Sequence, residues 1–192
     1  QQRMLDTIRS IIANADRVVD VSSLAGIADD GFREALIAGV READASGRRP
    51  VVRMVWGHQP AAPFPVTRLR SLQRDLQAAA PNLQIVLGLH KNTLITNGFA
   101  WNHSKIVAAD GEVAYSSGIN MWSASYLQSN NPVTDVGVVV RGPAAVSAHR
   151  FLDVIWTEMC TYPRWSLKHS NTLVPKDGGA RCPAREEIGR AH

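Results

Sequence analysis

The chain predicts an α/β fold: a mixed, mostly parallel β-sheet flanked by helices on both faces. Three observations carry this. Short apolar runs rich in Val, Ile and Leu recur along the chain, longer segments of helical period alternate with them, and the joints carry Gly, Pro, Asp and Ser. Strands that are apolar throughout must be covered on both sides, which crossover helices achieve.

Each element has a local reason. Met4, Leu5, Ile8, Ile11 and Ile12 recur with helical period, and Arg17 to Ser22 then reads as a strand. A helix from about Asp30 to Asp44, capped by the Asp29-Asp30-Gly31 cluster, ends at Ser46-Gly47 before a buried strand from Val51 to Trp56. The proline-rich run Pro60 to Pro65 is a loop, Thr67 to Ala80 is helical, and Leu83 to Leu89 is another apolar strand. His103 to Ala109 reads as a buried strand, with Asp110-Gly111 as a tight turn into a second strand from Glu112 to Tyr115. A strand from Val136 to Arg141 and a helix from Pro143, at the first helical position, to about Glu158 complete the pattern. Residues 1–160 thus form one lobe. From Thr161 the pattern fades, and Pro163, Pro175, Pro183 and Asp177-Gly178-Gly179 mark residues 161–192 as an irregular tail or interlobe linker.

Composition narrows the classes of function. The 192 residues carry 21 basic and 17 acidic side chains, a net charge of +4, and the arginines are scattered rather than gathered into a polybasic run. There is thus no run of the sort that signals nucleic-acid or anionic-lipid docking, and the charge supports only a weak pull towards a phosphate-bearing surface. No stretch is long enough to span a membrane and no signal sequence opens the chain, which is also how a processed secreted protein reads.

The chemistry concentrates in Trp101-Asn102-His103-Ser104-Lys105, followed by Asp110 and by Ser117-Gly118-Ile119-Asn120. On a strand, residues i and i+2 share a face, so His103 and Lys105 point into the same space while Ser104 points away. Across the turn, Ser117 and Gly118 are small enough to let the backbone approach a bound group, and Asn120 adds an amide. An imidazole, an ammonium and an amide converging on one point suit a phosphate: Lys105 and Asn120 bind its oxygens while a neutral His103 attacks phosphorus. Asp110 sits at the turn and fixes the hairpin.

This spacing resembles the HKD motif of the phospholipase D superfamily, with Ser117 where Gly is common. Further segments resemble secreted bacterial phospholipases D of the streptomycete type, in their first half. They are Gln2-Arg3-Met4-Leu5, Gly118-Ile119-Asn120-Met121-Trp122, Tyr126-Leu127, Asn131 to Val136, Gly142 to Ala145 and Phe151 to Trp156. The resemblance implies an α-β-α sandwich lobe, secretion, and hydrolysis of phospholipid headgroups at a membrane or micelle surface through a phosphohistidine on His103. Transfer to other alcohols would accompany hydrolysis. It implies no metal or other cofactor and no nucleic-acid partner. It also implies a second HKD lobe or chain supplying the acid histidine, since the motif occurs once here. Asp135 matches the position that holds the nucleophile's other nitrogen, with a turn residue after Pro132 as the competing reading. Trp122 and Tyr126, four apart and on one face of a helix, match headgroup-binding aromatics, with core packing as the alternative.

Cys160 and Cys182, 22 residues apart and without neighbours at metal-ligand spacing, favour a disulfide over a zinc site, and the resemblance to secreted enzymes supports pairing. Two free thiols remain the alternative. His58 and His90 follow strands directly and border the site region, while His149, His169 and His192 read as packing or surface residues. Two other functions stay open: a metal-independent nuclease built by two identical chains at a two-fold interface, and a phospholipid-binding module without turnover.

Overall fold

The computed structural model describes residues 1–24, 26–58, 66–91, 102–128, 130–161 and 171–174. Helix α1 (Gln2–Ala13) precedes strand β1 (Val18–Ser23), and α2 (Asp30–Ala45) precedes β2 (Val51–Gly57). Next come α3 (Val66–Ala79) and β3 (Gln84–His90), then the hairpin of β4 (Ile106–Ala109) and β5 (Val113–Ser117). A single helical turn, α4 (Ser123–Tyr126), leads to β6 (Gly137–Arg141). A 3-10 turn at Pro143–Ala145 opens α5 (Val146–Thr161), and β7 (Thr172–Val174) follows.

The seven strands form one sheet in the order β6-β5-β4-β1-β2-β3-β7. It is mixed, as the sequence predicts, but parallel only at its centre: β1, β2 and β3 run together, and the other four pairings are antiparallel. Crossovers through α2 and α3 give the parallel part. The tight turn of residues 110–112 makes β4 and β5 antiparallel neighbours. The tail also differs from expectation, because Thr172 to Val174 add an edge strand against Leu87 to Leu89. Three residues are too few to show a period. The rest of the predicted tail, with Cys182, His169 and His192, and the Pro60 to Pro65 loop lie outside the described residues.

Helices α1, α2 and α3 cover one face. Their apolar stripes (Ile8, Ile12, Phe32, Leu36, Leu72, Leu76) bury against Val19, Val21, Met54 and Leu87 of the sheet. On the other face, α5 lays Leu152, Trp156 and Met159 over Val55 and Val86. Complete burial of one such side chain contributes about 1.5–3 kcal/mol.

Beneath α5 the sheet holds a buried ionic cluster. Asp20 on β1 and Arg53 on β2 are register partners and both lie at 1% exposure or less. Arg53 Nε and Nη2 donate to the two Asp20 oxygens at 2.7 and 2.5 Å, and Nη2 reaches Asp153 of α5 at 2.8 Å. His149 Nδ1 of α5 lies 2.6 Å from Asp20 Oδ2, and the Trp156 ring stacks under the guanidinium at 5.9 Å. Burial pushes the Asp20 carboxyl upward, yet Arg53 and His149 outweigh it and hold the group below the ordinary carboxylate range.

A second carboxylate fixes the motif hairpin. Asp110 and Gly111 both take left-handed backbone at φ 57 and 73, as the turn requires. The Asp110 side chain accepts the amides of Asp16, Arg17 and Val18 at 2.8, 2.9 and 2.8 Å, and Arg17 Nη2 donates to its carbonyl at 2.8 Å. Asp110 therefore stitches the turn to the start of β1.

Two outcomes test these anchors. Asp110→Ala leaves three amides without their charged acceptor and lowers unfolding free energy by about 2–3 kcal/mol in urea titrations, whereas a loss under about 0.5 kcal/mol would contradict the clasp. Asp20→Asn costs about 3–5 kcal/mol at neutral pH. The contribution of Asp20 is present above its unfolded pKa and lost as pH falls through its lower folded value, so the variant's stability also declines less on acidification than the wild type's.

Candidate active site

The motif emerges where β4 meets the C-terminal end of β1, with Ser22 opposite Ile106. Residues 102–105 lie just before β4 rather than inside it, because side-chain bonds take the place of the ladder there. Asn102 is buried, donates to Ser22 Oγ at 2.8 Å, and accepts from the Ser104 hydroxyl at 2.7 Å. Ser104 Oγ also lies 2.6 Å from Ser22 Oγ. The backbone of Asn102 runs so close over Gly57 that a Cβ there would collide with its carbonyl oxygen. Asn102 was read with the motif but assigned no role, and Ser22 and Gly57 were not singled out from the sequence. Their signal was the polar Ser22-Ser23 pair closing an apolar strand.

Ser104 turns its hydroxyl to Ser22 and Asn102, and His103 and Lys105 meet each other, as the i, i+2 spacing predicts. The His103 ring is exposed and the Lys105 side chain is buried. Lys105 Nζ donates to the His103 carbonyl at 2.7 Å and lies 2.8 Å from Nδ1 and 3.4 Å from Nε2. Burial and then the Lys105 charge depress the His103 pKa, favouring neutral imidazole. Burial also lowers Lys105, against an upward pull from the Asp135 carboxylate.

Asp135 reaches this centre differently from the expectation. Its carboxylate lies over Gly118, where a Cβ would run into both oxygens, and it accepts the Val136 amide at 2.7 Å. Its charge acts on Lys105, and no hydrogen bond joins it to His103 among the described residues. Asn120 is buried beside the Ser117-Gly118 strand end, and its side-chain oxygen has no hydrogen-bond partner. Ser117 Oγ accepts the Ile119 amide at 3.2 Å. Asp110 stands at the opposite end of β4, outside the site.

Trp122 and Tyr126 do not share one helical face. Trp122 occupies the N-cap of α4 with φ −112, outside helical geometry, and its indole packs over Gly26. Tyr126 instead lines a cleft of about 480 Å³ with Arg3, Met4, Ile119, Val133, Val139 and Asp135. The Asp29 carboxylate caps α4, not α2: it accepts the Ser123 amide at 2.6 Å and makes no cap bond to α2. His58 and His90 stand at the same end of the sheet, joined through His58 N to His90 O at 3.0 Å. His90 Nε2 is 3.3 Å from Glu158, and burial and then Lys91 lower the His58 pKa. Trp101 and Cys182 lie outside the described residues, so the pairing assigned to Cys160 does too.

No family model matches the chain. The chain is 35% identical over 190 residues to a phospholipase D of Streptomyces antibioticus, an alignment that spans 97% of the chain and 33% of that relative. The fold is similar to Nuc from Salmonella typhimurium, a phospholipase D family member (TM-score 0.53, 14% identity, 79% of this chain and 86% of that one). It is similar also to NucT from Helicobacter pylori (TM-score 0.54, 12% identity, 81% and 89%). With its mixed seven-stranded sheet, its His103-x-Lys105 pair and this likeness to the streptomycete enzyme, the chain belongs to the phospholipase D superfamily.

Proposed function

We propose that the chain is one catalytic lobe of a phosphodiesterase that hydrolyses phospholipid headgroups. The observation that carries this is the pairing of an exposed imidazole with a buried ammonium 2.8 Å away, beside the buried Asn120 amide, whose N–H groups are donors. His103 attacks phosphorus, forming an N–P bond as the bond to the headgroup oxygen breaks. Lys105 and Asn120 hold the other phosphate oxygens, where negative charge gathers. The leaving oxygen takes a proton from a second histidine, which then activates water to cleave the N–P bond and release phosphatidic acid. An alcohol in place of water gives headgroup exchange.

That second histidine comes from another lobe or chain, since this one spans a third of the streptomycete relative's length. The cleft beside Asp135 supports a lipid over a nucleic acid, because Met4, Ile119, Val133, Val139 and two tyrosines line it among polar groups, and Arg3 is the one basic side chain among the described residues that line it. Tyr126 on its wall offers a ring face to a quaternary ammonium. Secretion, with Cys160 and Cys182 paired, completes the reading.

Incubation with phosphatidylcholine vesicles carrying a radioactive phosphate tests the role of His103. With a partner lobe supplying the acid histidine and the reaction stopped during turnover, the chain takes up acid-labile label as phosphohistidine, and His103→Ala takes up none; equal labelling of the two would refute the assignment. With the partner lobe present, His103→Ala lowers choline release by at least about 10³-fold. Gly118→Ala, by pushing the Asp135 carboxylate off its seat, lowers kcat by about 10²-fold with an unchanged far-ultraviolet spectrum. Cleavage of plasmid DNA by the chain in place of choline release would favour the two-fold nuclease.

A further inference from the structure

Resting on the reading of the chain as a phospholipid phosphodiesterase, we propose that the cleft beside Asp135 selects a headgroup carrying a carboxylate as well as an ammonium, as serine does, and that Arg3 determines the choice. Arg3 and Asp135 are the one basic and the one acidic side chain among the described residues that line this cleft of about 480 Å³. They do not pair. Among the described residues the Arg3 guanidinium has no hydrogen bond and no ion pair, whereas Arg9 of the same helix is matched with Glu42 at 2.7 Å. A cation and an anion that share a cleft without meeting complement a ligand that bears both charges.

The cleft adjoins the reacting groups. Its Asp135 lies over Gly118 and acts on the Lys105 charge, and Met4, Tyr115 and Ile119 line both the cleft and the small cavity at Lys105. A phosphodiester carries a single negative charge, which the Lys105 ammonium meets, so a further cation in the adjoining cleft answers a second anionic group on the ligand. That group is a carboxylate rather than a phosphomonoester, because the latter brings about two charges that one arginine beside an aspartate does not balance. The planar guanidinium fork takes a carboxylate through paired hydrogen bonds. At the other end of such a headgroup, the ammonium meets the Tyr126 ring and the negative field of Asp135. Choline and ethanolamine supply the ammonium alone and leave Arg3 unmatched.

O-phosphoserine and O-phosphoethanolamine differ only in the carboxylate, and calorimetric titration of each into the full chain tests the site without turnover. The expected result is tighter binding of phosphoserine by at least about tenfold, a preference that Arg3→Gln brings within about twofold. Arg150→Gln, which removes the same charge near Asp110 at the far end of β4, keeps the preference. Equal affinities in the wild type, a preference that survives Arg3→Gln, or its equal loss in Arg150→Gln would each overturn the proposal. With the partner lobe present, release of serine and of ethanolamine from short-chain lipids dissolved as monomers extends the comparison to catalysis. The serine lipid is then favoured in kcat/KM by at least about tenfold, and Arg3→Gln removes that advantage. Turnover of both lipids at equal kcat/KM sinks the carboxylate site alone. Preferential binding of phosphoserine with no release from either lipid sinks the phosphodiesterase reading and leaves the site standing.

Discussion

The placement of His103 and Lys105 depends on a carboxylate at the far end of their strand. By accepting the amides of Asp16, Arg17 and Val18, Asp110 sets the register of β4 on β1, so that Val19 meets Ala109 and Ser22 meets Ile106. The four pairs from Val19–Ala109 to Ser22–Ile106 carry the chain across the sheet and deliver the motif beside Ser22. Because side chains on a strand alternate with a period of two, a slip by one residue would turn the strand's inner set outward. Ser22 would then lose Ser104 and Asn102, and the imidazole and ammonium would lose the arrangement that lets them share one side. The acidic member of the motif therefore acts through register rather than through contact.

Much of the fold was legible because its elements are long and regular. The stripe of α1 and the apolar runs of β2 and β3 stand within a residue or two of their expected bounds. What the sequence could not convey was direction. A buried antiparallel strand such as β4 is as apolar as a parallel one, so the parallel share of the sheet was overestimated. Asp20 and Arg53 drew no notice in the sequence, and only the parallel register shows them to be partners.

At the site, spacing conveyed what backbone periodicity governs and missed what local hydrogen bonds govern. His103 and Lys105 do meet, but Asn102, rather than a continuous strand, turns Ser104 away from them. The four-residue spacing of Trp122 and Tyr126 implied a shared face, which requires helix at both positions. Asp29 caps the segment at Ser123 and leaves Trp122 outside it. The seat of Asp135 over Gly118 depends on a backbone approach between segments that have no sequence signature beyond the glycine itself.

The seam between β1 and β4 also bears on how the chain acquires its chemistry in time. The bond from the Arg17 amide to Asp110 joins residues 93 apart in sequence, whereas the hairpin of β4 and β5 turns within a few residues. Contacts of such separation carry a loop-closure cost that local ones avoid, and they form slowly. Secondary structure and the hairpin therefore precede the seam. During synthesis and refolding, the pairing of His103 with Lys105 beside Ser22 therefore awaits the closure of this long loop.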